Sequence, residues 1–134
     1  MMNFTYNSLP GRVIFGAGCR ERLAPEIEQL GSTRALILST PGHEREAKEL
    51  AKGVGKPAAG HFPGAVMHTP VAVSEQAVNL ARLANADCIV AFGGGSTIGL
   101  GKAIALRTDL PQIAIPCDPE SVLEPTKTRS RCDW

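Results

Sequence analysis

The sequence has no surplus of charge of either sign: 14 Lys+Arg against 13 Asp+Glu give a formal net charge of +1. It therefore lacks the basic balance expected of a nucleic-acid binder. It has no apolar run approaching the length of a membrane span. The N-terminus, Met1-Met2-Asn3-Phe4-Thr5-Tyr6, has neither a basic region nor an apolar core of a signal peptide, so the expected location is the cytoplasm. The four cysteines, Cys19, Cys88, Cys117 and Cys132, form no C-x-x-C pair, and no metal or disulfide role is expected of them. Cys88 lies in the apolar run Cys88–Phe92 and reads as a core thiol. His43, His61 and His68 are not spaced as helix-borne metal ligands usually are. His43 and His61 read as surface or loop residues.

What is present is an ordinary soluble composition, 43% hydrophobic and 20% charged. A chain of 134 residues suggests one domain, short for an enzyme needing both a cofactor domain and a substrate domain. Two short runs, Phe4–Tyr6 and Arg12–Phe15, flank Asn7-Ser8-Leu9-Pro10-Gly11 and predict an N-terminal β-hairpin. Leu23, Ile27 and Leu30 make the apolar stripe of a helix over 19–30, ended by Gly31. Pro25 fits that helix only in its first turn. Ala35–Ser39 predicts a buried parallel strand, closed by Thr40-Pro41-Gly42. Ala47, Leu50, Ala51 and Val54 predict a helix over 43–54, and Ala58–Phe62 a further strand. Thr69 is the expected N-cap of the next helix, with Ser74-Glu75 an alternative start and Val73, Ala77, Leu80, Ala81 and Ala84 its stripe. Cys88–Phe92 is the clearest strand, followed by a helix over 97–106 and a strand at 112–115. Strand and helix alternate from 34 to 115, which implies right-handed βαβ units and a parallel sheet flanked by helices, a Rossmann-like α/β fold. After Pro116 the apolar period disappears, and residues 117–134 are expected to be poorly ordered.

The chemically informative element is Phe92-Gly93-Gly94-Gly95-Ser96-Thr97, where a strand meets a helix through three glycines. The first helical turn leaves backbone N–H groups without partners, and the helix dipole adds positive potential, so this end suits a phosphate. Glycine lets a diphosphate approach the main chain and permits positive φ. Ser96 is expected to cap the helix and donate to a phosphate oxygen. Lys102 is placed to reach a cofactor phosphate or ribose, although a solvated surface lysine explains it equally well. Gly99, Gly101 and Ala103 would keep the helix thin against the sheet. Two standard motifs fail: position 98 is Ile where the last glycine of G-x-G-x-x-G belongs, and Ser96 and Ala103 break the P-loop pattern. A purely structural turn is the competing reading of the glycines.

The stretch Ala91-Phe92-Gly93-Gly94-Gly95-Ser96-Thr97-Ile98-Gly99-Leu100-Gly101-Lys102-Ala103-Ile104-Ala105-Leu106 resembles the cofactor motif of iron-containing alcohol dehydrogenases. That superfamily commonly has aspartate where this chain has Gly99, and the Gly99-Leu100 version resembles its maleylacetate reductase branch. Residues 3–18, Leu36–Pro41 and His68–Ala77 agree with the same branch, so the resemblance runs from residue 1 to about 116. It implies a dehydroquinate synthase-like N-terminal domain over 1–116. It also implies reduction of maleylacetate to 3-oxoadipate with NADH or NADPH in the breakdown of aromatic compounds, and a homodimeric parent enzyme. Gly94, Gly95 and Ser96 would cradle the pyrophosphate, with Gly93 and Thr97 beside them. Ser39, Thr40 and Pro41 would border the adenosine ribose, with no acidic residue among them to repel a 2′-phosphate. His68 is a candidate for lining the substrate cleft.

The family continues past Ile115-Pro116 with a threonine-rich, Gly-Ser-Glu cofactor segment that Cys117–Trp134 does not follow. It then adds a helical domain carrying the metal or substrate-binding histidines. The expectation is a chain truncated by a frameshift near codon 117, without metal site or catalytic residues and with negligible turnover of its own. The alternatives are a piece of an iron-containing alcohol or glycerol dehydrogenase, and a non-catalytic nucleotide-binding remnant.

Overall fold

The computed structural model describes residues 14–15, 18–116 and 131–132. Strand β1 (Ile14–Phe15) leads through a 3-10 turn at Cys19–Arg22 into helix α1 (Leu23–Gln29). Then follow β2 (Ala35–Leu38), α2 (Glu44–Val54), β3 (Ala58–Phe62), α3 (Val71–Leu83), β4 (Cys88–Gly93), α4 (Gly95–Thr108), β5 (Gln112–Pro116) and β6 (Arg131–Cys132). Phe4–Tyr6, the expected first arm of the hairpin, lies outside the described residues. The described partner of β1 is β6, antiparallel, with Ile14 opposite Cys132. Apart from that strand, the segment expected to lack order lies outside the described residues.

Strands β2 to β5 form one parallel sheet in the order β3-β2-β4-β5. The reason for a parallel sheet is visible in burial. Every residue of β2 and of β4 is buried, so neither strand has a face to offer water. Alternate side chains feed two separate cores. Leu23 and Ile27 of α1 and Ala47 and Val54 of α2 pack on Ile37, Val90, Phe92 and Ile113. Ala77, Val78 and Ala81 of α3 and Leu100 and Ile104 of α4 pack on Leu36, Leu38, Ile89 and Ala91 from the other side. Each fully buried Ile, Leu or Phe contributes about 2 kcal/mol by leaving water.

The helices follow their stripes, with differences at the ends. Pro25 is the third residue of α1, inside the first turn as its ring requires. Gly31 ends that helical segment at φ +76°. The expected cap at Thr69 is not made: Pro70 is the N-cap of α3, Thr69 has φ +42°, and no side chain caps the helix. A left-handed Thr69 cannot carry the extended backbone of a capping residue. Helix α4 begins at Gly95, two residues before the expected Thr97. Of the three small residues meant to thin α4, Gly101 faces the sheet, where a Cβ would meet Ala91 Cβ at 3.4 Å and Gln112 Oε1 at 2.6 Å. Gly99 faces Thr69 instead. Among the described residues, no helix is long and apolar enough to cross a membrane.

Candidate functional site

The strand order reverses direction once. From β2 the chain crosses to β3 on one side, then returns past β2 to β4 and β5 on the other. In open α/β sheets the crevice beyond the C-terminal ends of the strands at such a switch point is where ligands bind. Here the two strands that part are β2 and β4. Their register sets Leu38 opposite Ala91, and continued one and two residues on it brings Ser39 level with Phe92 and Thr40 with Gly93. The two segments singled out in the sequence, 39–41 and 93–97, therefore meet at one place.

The three glycines have different reasons to be glycine. Gly93 has φ +138°, and a Cβ there would meet Thr97 Oγ1 at 2.9 Å, so both backbone and packing exclude a side chain. Gly94 has φ −93°, and an added Cβ on Gly94 or Gly95 would meet nothing within 4 Å. Neither the fold nor the left-handed region demands glycine at 94 or 95; the space beside them is open to a ligand. Gly94 is the N-cap of α4, and no side chain caps this helix, which corrects the expected capping role of Ser96. Ser96 is the second helical residue, and its hydroxyl accepts or donates no cap bond there.

The carbonyl of Gly94 takes the amides of Thr97 and Ile98, each at 3.1 Å. Among the described residues, no protein group accepts from the amides of Gly95 and Ser96. Thr97 Oγ1 is buried, at 0% exposure of the residue, and has no hydrogen-bond partner among the described residues. Two forward-pointing amides, a 14-residue helix dipole and an orphaned hydroxyl thus converge on the turn. This fits the diphosphate of a dinucleotide: amides to donate, and open room where side chains would intrude.

The β2 side of the switch point divides its residues. Ser39 is fully buried; its Oγ lies 2.8 Å from His61 Nε2 on β3, its N–H donates to Phe62 O, and its carbonyl takes Ala65 N–H. Its side chain is thus engaged on the side away from β4. Thr40 is half-buried and extended (φ −79°, ψ 162°), Pro41 is exposed, and both stand at the open edge. His61, half-buried beside Ser39, has its pKa lowered by burial, with Glu44 raising and Lys48 lowering it. His68 is exposed with φ +66°, and its loop is held against α4 through Thr69, whose Oγ1 lies 3.0 Å from the Cβ position of Gly99. Lys102 is exposed on α4, seven residues beyond Gly95, or about 10 Å along the axis.

Two residues at this mouth were not singled out in the sequence. His43 Nδ1 lies 3.0 Å from Thr40 Oγ1 and 3.8 Å from the Cβ position of Gly93, with its ring edge-on to Phe92. The Arg20 guanidinium stacks over the same Phe92 ring at 4.9 Å from its centroid. The T-x-x-H spacing of Thr40 and His43 was the one local signal. Cys88, on the same strand as the turn, is buried, and burial pushes its thiol up to about 11.

Fold and turn together define a parallel α/β domain with a candidate anion site at the switch point. The chain belongs to the iron-containing alcohol dehydrogenase family, whose model matches residues 10–126. Maleylacetate reductase of Rhizobium sp. (strain MTP-10005) is 55% identical over 116 residues, covering 87% of this chain and 33% of that protein. The crystal structure of maleylacetate reductase from Agrobacterium tumefaciens superposes with TM-score 0.84 at 54% identity, over 87% of this chain and 33% of that one. The iron-containing alcohol dehydrogenase from Corynebacterium glutamicum does so with TM-score 0.78 at 36% identity, covering 87% and 32%. The chain spans about a third of the length of the curated relatives it matches.

Proposed function

We propose that this chain is the nucleotide-binding part of a maleylacetate reductase, holding NADH or NADPH for the reduction of maleylacetate to 3-oxoadipate in aromatic-compound breakdown. The observation that carries the reading is the turn at 94–97: open space at Gly94 and Gly95, and, among the described residues, no partner for the amides of Gly95 and Ser96 or for the Thr97 hydroxyl. Gly94, Gly95 and Ser96 cradle the diphosphate through the main chain. Gly93 allows the sharp exit from β4, and Thr40 and Pro41 border the adenosine ribose. Ser39 acts indirectly, by fixing the end of β2 to His61. Bound nicotinamide supplies a hydride for the carbon–carbon double bond of the substrate. The protein's part is to fix the cofactor and shield it from water. His68 is a cleft-lining candidate and Lys102 the outermost cofactor contact; both are exposed and the weakest members of the set.

The maleylacetate assignment, in preference to another alcohol dehydrogenase activity, draws on the similarity to maleylacetate reductases over 87% of the chain. Gly99 also suits its neighbour here: a side chain at that position would press on Thr69 Oγ1, 3.0 Å from the Cβ position, and the threonine would have to give by a few tenths of an ångström. The experiment is a fluorescence titration of the 134-residue chain with NADH and NADPH, followed by maleylacetate with 3-oxoadipate measured by mass spectrometry. Binding with negligible turnover is expected, because the chain spans about a third of the length of the reductases it matches. Absence of binding by both dinucleotides would refute the nucleotide-binding reading. Turnover comparable to an intact maleylacetate reductase would refute the division of labour.

A further inference from the structure

We infer that His43 is a diphosphate-binding side chain of this site, aimed by Thr40. The inference rests on the reading of the 93–97 turn as the diphosphate site and adds a side-chain donor from the opposite strand. Main-chain amides of α4 grip such a ligand from one side only. The other side of the crevice is the end of β2, and His43 is the residue of that segment that reaches across to the glycine turn, 3.8 Å from the Cβ position of Gly93.

Its placement is over-determined. The backbone N–H of His43 donates to Thr40 O at 3.1 Å, closing the 3-10 turn Pro41–His43. Its Nδ1 meets Thr40 Oγ1 at 3.0 Å, and its ring stands at 88° to Phe92, itself buried under Arg20. A histidine serving only as a surface residue has no need of three restraints. In the tautomer whose Nδ1 accepts from the Thr40 hydroxyl, Nε2 carries the ring proton. No described residue takes that donor, and an imidazole N–H facing a phosphate oxygen makes a charge-assisted hydrogen bond. Thr97 Oγ1, which has no hydrogen-bond partner among the described residues, lies beside the same Gly93, 2.9 Å from its Cβ position, so a side chain from the end of β2 and one from α4 meet at the turn. The ligand chemistry is a diphosphate ester, shared by NADH and NADPH.

The test is the affinity of the full chain for NADH and for NADPH, in the wild type, His43→Ala, His43→Gln and Thr40→Val. His43→Ala weakens both dinucleotides by roughly tenfold, the effect of one hydrogen bond to a charged acceptor. His43→Gln, which keeps an N–H near the Nε2 position, recovers most of the loss. Thr40→Val, which keeps the ring but not its aim, gives an intermediate loss. Unchanged affinity in His43→Ala overturns the inference while the main-chain site stands. A loss confined to NADPH overturns it too, since the ring would then be reading a 2′-phosphate. Wild-type chain that binds neither dinucleotide defeats the site and the inference together. A measurement without variants covers a folding defect: the His43 ring nitrogen signals must shift when NADH is added, and unmoved signals overturn the proposal.

Discussion

The two ends of strands β2 and β4 treat their polar groups in opposite ways. At their N-terminal ends one carboxylate gathers the neighbouring donors. The Asp87 carboxylate accepts from Thr33 N–H at 2.8 Å, Arg34 N–H at 2.9 Å and Thr33 Oγ1 at 3.3 Å. Arg34 Nε donates to Ala84 O at 2.8 Å, and the Asp87 N–H donates to Arg34 O at 2.8 Å. One acidic side chain thus ties the entry to β2 to the entry to β4. At the C-terminal edge of the same two strands, the amides of Gly95 and Ser96 and the hydroxyl of Thr97 have no protein partner among the described residues. Unmet groups cost free energy in an isolated fold. On β2 and β4 and the turn after β4 these groups fall at the end that the proposed function gives to the ligand, while the Asp87 end holds the strands together.

Variants at the two ends should therefore separate stability from binding. The largest effect is expected where both roles coincide. Gly93→Ala places a Cβ at φ +138° and 2.9 Å from Thr97 Oγ1. It should destabilise the chain by about 3 kcal/mol in urea unfolding and abolish dinucleotide binding. Asp87→Ala should cost about 1 kcal/mol by replacing exposed hydrogen bonds to a carboxylate with bonds to water, with affinity per folded molecule unchanged. Gly95→Ala is the sharpest test of the contrast. Alanine has room there and a better helix propensity, so stability should hold or rise by about 0.5 kcal/mol. Affinity should nevertheless fall roughly tenfold, as the methyl takes the space of the ligand. A Gly95→Ala chain that binds normally would break the comparison.

The smallest effect concerns pH. Burial lowers the pKa of His61 relative to its value in the unfolded chain. The unfolded chain then binds more protons in the window just below the ordinary histidine value of about 6.5, so stability falls as pH drops through that window. Thermal unfolding between pH 7.5 and 5.5 should show this decline, and His61→Gln should flatten it. An unaltered slope in the variant would remove His61 as its source.

How much of this was legible in the sequence depended on the range of the interaction. Cys88–Phe92 and the glycines after it announce themselves locally, as an unbroken apolar run followed by residues that only a turn or a close approach favours. The stripes of α2 and α3 were equally plain. The start of α4 was hidden because glycine is a poor helix former, so Gly95 and Ser96 read as turn although both are helical. Thr69 has the composition of a cap, but its backbone is left-handed and its hydroxyl sits over Gly99, a long-range contact that no local pattern reveals. His43 was passed over as a loop histidine for a further reason. Its neighbours Gly93 and Phe92 are some fifty positions away in the chain, and only the β2–β4 pairing brings them together. The same holds for the engagement of Ser39 by His61 across β2 and β3.

The central claim is that the main chain at the start of α4 is the ligand's grip. It is tested most directly by following the backbone amide signals of the 134-residue chain during titration with NADH. The account predicts saturable shifts concentrated at Gly94–Thr97, with Thr33, Arg34 and Asp87 unmoved. Shifts absent from Gly95 and Ser96, or gathered at the Asp87 end of the sheet, would contradict it.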